Sequence, residues 1–123
     1  MSKILVIEDE DSFRNVLVKM LTKAGYEVRQ AGDGNQALTV CEQFMPDLVL
    51  TDIIMPDKEG LETIQELMEI RPGIKIIAMS GGGRFGTDSY LPLAEQLGAK
   101  ATLQKPFMRE DLLETVKSVL AGD

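Results

Sequence analysis

The stretch KILVIEDED, residues 3 to 11, sets four consecutive aliphatic residues directly against four acids. A run that is apolar without alternation is what a β-strand shows when both faces of its sheet are covered, and acids at its end place charge at one edge of that sheet. Similar runs recur at intervals of about 25 residues: EVRQA (27 to 31), LVLT (48 to 51), KIIAM (75 to 79) and ATLQ (101 to 104). Helical periods lie between them. Phe13, Val16, Leu17, Met20 and Leu21 share one face before Gly25; Leu61, Ile64, Leu67 and Met68 repeat the pattern before RPG. Leu112, Leu113, Val116, Val119 and Leu120 form a third stripe, and weaker helices are predicted over 34 to 44 and 88 to 97.

Five strands alternating with five helices predict a parallel sheet covered on both faces. The first, third and fourth strands are the most apolar and belong in the middle, which with right-handed crossovers gives the order 2-1-3-4-5. Functional crevices of such sheets lie beyond the C-terminal strand ends.

The chain has 123 residues, enough for one domain over 1–123, with 44% hydrophobic and 27% charged residues. Its net charge of −7 argues against a nucleic-acid face or an anionic membrane as partner. The N-terminus reads as neither a signal peptide nor a span, and the lone Cys41 suits a reducing, cytoplasmic compartment, where it reads as a small core hydrophobe.

Carboxylates gather at the predicted crevice. Glu8 and Asp9 follow the first strand, and Asp52 ends VLTD after the third, while Asp11 reads as a helix-capping acid. Converging carboxylates repel one another unless a cation joins them. A hard divalent ion such as Mg2+ fits an all-oxygen set, and without any His a zinc site is excluded. A carboxylate so placed can attack phosphorus if the phosphoryl oxygens are neutralised. Ser80, ending the fourth strand, supplies a hydroxyl, and Lys105, ending the fifth, supplies an ammonium.

These motifs together resemble the receiver domain of two-component response regulators over the whole chain. They are ILVIEDED, DLVLTDIIMPDKEG with Pro56 and Gly60, IIAMS, and LQKPF. The resemblance implies a flavodoxin-like, doubly wound (βα)5 three-layer sandwich. It implies that Asp52 is phosphorylated, that Asp9, Asp52 and the backbone carbonyl of Ile54 bind Mg2+, and that Glu8 reaches the ion through water. Lys105 would grip the phosphoryl group, Ser80 would move toward it, and the Lys105–Pro106 bond would be cis. The donor would be a histidine kinase or phosphotransfer protein. The output, at the fourth helix and fifth strand, would pass to a protein effector or a fused output domain. Such a protein assists only its own phosphorylation and dephosphorylation and is not otherwise an enzyme.

Three departures from the family pattern stand out. Thr102 occupies the usual switch-aromatic position, so that a smaller rearrangement or another ring, Phe85 or Tyr90, is expected to respond. Ile54 and Gly82 stand where the family tunes hydrolysis, and neither side chain can orient water, which implies slow autodephosphorylation. The segment from Ser80 to Lys105 is a few residues longer than usual, in the glycine run. That run, SGGGRFG (80 to 86), also matches a phosphate-cradling pattern. It follows the fourth strand rather than the first and reads instead as a hinge for Ser80.

Other readings compete. A haloacid-dehalogenase-type phosphatase needs a second acid where Ile54 stands, and a flavodoxin or dinucleotide domain binds phosphate where this chain has EDED. A phosphorylation-independent receiver-like interaction module is the alternative closest to the main reading.

Overall fold

The computed structural model describes residues 2–53, 60–80 and 90–122, with side chains at 2–53, 62–80 and 94–122. Strands and helices alternate as β1 (Lys3–Ile7), α1 (Asp11–Lys23), β2 (Glu27–Ala31), α2 (Gly34–Phe44), β3 (Leu48–Asp52), α3 (Gly60–Ile70), β4 (Lys75–Ser80), α4 (Tyr90–Leu97), β5 (Ala101–Gln104) and α5 (Arg109–Leu120). All strand pairs are parallel and the order is β2-β1-β3-β4-β5, as the apolar patterning predicts. Strands β3 and β4 each run one residue further than expected, which brings Asp52 and Ser80 into the ladder as its terminal residues.

Alternation along the central strands builds two cores. Leu5, Ile7, Val49, Ile76 and Ala78 meet Ala37 and Cys41 of α2, Ile64 and Leu67 of α3, and Ala94 of α4. Ile4, Val6, Leu48, Leu50, Ile77 and Met79 face Leu17 and Leu21 of α1 and Leu112, Val116 and Val119 of α5. Each fully buried aliphatic side chain stabilises the fold by about 1.5–3 kcal/mol relative to exposure. This two-sided burial holds the ends of β1, β3 and β4 rigid, and the site is built there.

Helix ends follow local chemistry. The Asp33 carboxylate accepts from the Gln36 backbone N–H at 2.8 Å, capping α2. The expectation that Asp11 caps α1 is not met: Glu10 holds the cap position without a side-chain bond, and Asp11 is already helical. Asp11 still complements the helix N-terminus electrostatically and pairs with Arg14 at 2.6 Å.

Gly98 closes α4 in the left-handed region, at φ +119°, and an added Cβ there would also meet the Met68 side chain at 2.5 Å. Gly98→Ala is expected to lower stability by about 1–3 kcal/mol. Urea unfolding checks this, and an unchanged midpoint would contradict it.

Candidate functional site

Backbone bonds just beyond the strands hold Glu8 and Lys105 and the residue after Asp52. The Glu8 N–H donates to the Ala31 carbonyl at 3.1 Å, prolonging the β1–β2 pairing. The Ile53 N–H donates to Met79 O at 2.9 Å, and the Lys105 N–H to Ser80 O at 2.8 Å. These bonds extend the β1–β2, β3–β4 and β4–β5 pairings beyond the ladder, while β1 and β3 are joined by the ladder itself up to Ile7 and Thr51.

There Glu8 and Asp52 are buried, Asp9 is exposed and Ser80 is buried. Lys105 reaches back across the edge. Its Nζ donates to Glu8 Oε1 at 2.7 Å and to Asp52 Oδ2 at 3.0 Å, with side-chain exposures of 19% for the lysine and 2% and 8% for the acids. The same ammonium lies 4.7 Å from the centre of the Phe13 ring, which meets Phe107 edge-on at 6.0 Å. The second Glu8 oxygen accepts from the Glu10 N–H at 3.1 Å.

Burial pushes the Glu8 carboxyl above its ordinary pKa, against the hydrogen bonds from Lys105 and Glu10 and with the Asp52 charge adding to the rise. For Lys105, burial pulls the ammonium down but is outweighed by Glu8 and Asp52 together, so its pKa is raised. The lysine therefore remains charged at neutral pH.

Glu8, Asp9 and Asp52 each place a carboxylate oxygen within 4.8 Å of the others. Opposite ligands of an octahedral Mg2+ stand roughly 4.2 Å apart, so modest carboxylate movement gathers this set around one ion. The donors are hard oxygens, the chemistry Mg2+ requires. The Ile54 carbonyl lies outside the described residues, as do Pro56, Gly82, Phe85 and the rest of the glycine run after Ser80, and the side chain of Tyr90.

The structure thus brings Glu8, Asp9, Asp52 and Lys105 together and sets Ser80 on the neighbouring strand end. The Lys105–Pro106 bond is cis, as the resemblance implies. Thr102 lies on β5 opposite Ala78 and is half-buried. Sequence reasoning misses Phe13 beside the lysine, with Phe107 against that ring, and Arg14 beneath the acidic loop. In the sequence Phe13 fits the apolar stripe of α1 and nothing more, and the one signal for Arg14 is its position five residues after Asp9.

Comparison with known proteins agrees with this geometry. Residues 4–117 match the response regulator receiver domain family. The chemotaxis protein CheY of Thermotoga maritima is 35% identical over 118 residues, covering 95% of this chain and 96% of that protein. The DNA-binding transcriptional regulator NtrC of Azospirillum brasilense is also 35% identical, but the match covers 95% of this chain and only 24% of that protein. Among solved structures, a CheY-like receiver domain protein from Methanospirillum hungatei superposes with a TM-score of 0.88 at 30% identity, covering 98% of this chain and 94% of that one.

Proposed function

The chain belongs to the response regulator receiver domain family, and from that premise we propose that Asp52 is its phosphoacceptor, with Glu8, Asp9 and Lys105 as the groups that make attack possible. Receiver domains are phosphoacceptor switches of two-component signalling, and this chain is one of them. The observation that carries the residue assignment is the single ammonium bridging Glu8 and Asp52 at 2.7 and 3.0 Å.

In the proposed reaction an Asp52 carboxylate oxygen attacks phosphorus, the bond from phosphorus to the donor breaks, and the donor leaves with that electron pair. Lys105 holds the nucleophile's orientation before attack and is placed to neutralise a phosphoryl oxygen after it. Ser80 contributes a hydroxyl from the adjoining strand end. Glu8, Asp9, Asp52 and the Ile54 carbonyl would hold Mg2+, which supplies further charge neutralisation when bound. The donor is a histidine kinase or phosphotransfer protein, and the output passes through α4 and β5 to a protein effector or a fused output domain. No helix among the described residues is long and apolar enough to cross a membrane, and the reading places the protein in the cytoplasm.

Incubation with acetyl phosphate and Mg2+, followed by intact mass measurement, tests the proposal. A single phosphoryl adduct is expected. No adduct would favour an interaction module that works unphosphorylated.

Two further results are expected. Because the Glu8 carboxyl is raised, protons compete with Mg2+ at milder acidity than for an ordinary glutamate. Affinity measured by calorimetry should therefore begin to fall on acidification while an ordinary glutamate would still be ionised, and a profile flat until ordinary carboxylates protonate would contradict it. With Ile54 and Gly82 unable to orient water, the aspartyl phosphate should also be slow to hydrolyse. A phosphoryl lifetime of seconds without a phosphatase would refute this.

A further inference from the structure

Arg14 belongs to none of the groups assigned above, yet its guanidinium binds three acceptors from separate parts of the fold. Nη1 donates to the Glu8 backbone carbonyl at 2.7 Å, Nε to Gln30 Oε1 on β2 at 2.8 Å, and Nη2 to Asp11 Oδ1 at 2.6 Å. Its side chain is only 16% exposed. The carbonyl it holds belongs to the peptide that joins Glu8 to Asp9, the two acids offered to the metal. The peptide on the other side of Glu8 is held by the Ala31 carbonyl, at 3.1 Å from the Glu8 N–H. Both planes flanking Glu8 are thus fixed, one by the sheet and one by Arg14.

We propose that Arg14 is a positioning residue for the metal pocket, clamping the Glu8–Asp9 peptide so that both carboxylates face Asp52 before the ion arrives. The inference rests on the Mg2+-dependent phosphoacceptor reading and adds to it a residue that touches neither ion nor phosphoryl group. An arginine is required because a rigid planar fork can donate in three directions at once, whereas an ammonium on a flexible stem cannot match those acceptors. Groups that orient metal ligands typically alter affinity 10–100-fold when removed.

The sign of the effect separates this role from simple electrostatics. Arg14 is a cation near a cation site, so loss of its charge alone should tighten Mg2+ binding. Loss of a clamp should weaken it. Calorimetric titration of Mg2+ into Arg14→Ala should show affinity lowered roughly tenfold. Arg14→Lys should also bind more weakly, although its charge is kept. Arg29→Ala removes the same charge where it packs on the Phe44 ring, at 5.0 Å, and should leave Mg2+ affinity unchanged. In acetyl phosphate assays the rate deficit of Arg14→Ala should shrink as Mg2+ approaches saturation.

Unchanged or tighter Mg2+ binding by Arg14→Ala would overturn the proposal. If that variant does not fold, Gln30→Ala removes one acceptor at an exposed position of β2 and should weaken Mg2+ in the same direction by a smaller factor; no change there would equally overturn it. The metal titration reads independently of phosphorylation. Wild-type protein that binds Mg2+ but takes up no phosphoryl group would refute the phosphoacceptor assignment while leaving the clamp intact.

Discussion

Asp52→Asn is expected to take up no phosphoryl group from acetyl phosphate and Mg2+ under conditions that modify the wild type to completion. The amide has nearly the shape of the carboxylate but no anionic oxygen to attack phosphorus, so the loss is of chemistry rather than of packing. The fold should survive. Lys105 keeps its bond to Glu8 at 2.7 Å, and the strand pairing that ends at Asp52 is made by backbone groups. Mg2+ affinity should fall as well, because one of three gathered carboxylates is gone. Intact mass spectrometry and a metal titration check both parts. An adduct of wild-type stoichiometry on the variant would place the acceptor elsewhere.

Lys105→Met separates two functions that the wild type combines. Losing a donor aimed at developing charge costs on the order of 10²–10³ in rate, so phosphorylation should slow by that factor even at saturating Mg2+. The ion itself should bind more tightly, because an ammonium no longer competes for Glu8 and Asp52. Slower phosphorylation with tighter metal binding is a pairing that misfolding would not produce. Metal binding weaker than wild type would count against the competition.

The same substitution leaves Glu8 and Asp52 buried without their cation, which should destabilise the metal-free protein by about 3 kcal/mol near neutral pH. The direction with pH follows from linkage. The Glu8 carboxyl is already raised in the folded protein, and losing the hydrogen bond from Lys105, which lowers it, raises it further. A group with a raised folded pKa favours the folded state most below its unfolded pKa and loses that contribution as pH rises through the folded value. The deficit of the variant should therefore narrow on acidification and also on adding Mg2+. Urea unfolding across that pH range reads it directly.

The fold was legible in the sequence because strands covered on both faces must be apolar throughout. KILVI, LVLT and KIIAM could hardly be anything else, although the last residues of β3 and β4 lie beyond those apolar runs, whereas β2 and β5, at the edges, show more in their spacing than in their composition. The acids and Lys105 were legible because their residue types are unusual at strand ends, and parallel topology carries those ends to one edge. Lys105 and Glu8 are thus paired across 97 positions of chain. Arg14 was not legible. Two of its acceptors are a backbone carbonyl and a glutamine 16 residues away, and neither leaves a mark in periodicity or charge pattern. Phe13 satisfied the apolar stripe of α1, and that explanation hid its second contact with the Lys105 ammonium.

Cys41 lies fully buried between α2 and the sheet, and burial pushes its thiol above the usual range. Thiolate is therefore scarce there, and reagents have no path to it. For spectroscopy this means that the natural cysteine can stay in place. A second cysteine introduced at an exposed position such as Met108, 67% accessible just ahead of α5, would carry a fluorophore or spin label alone. The conformational response to phosphorylation can then be followed from a single attachment point, without repacking the core to remove a competing thiol.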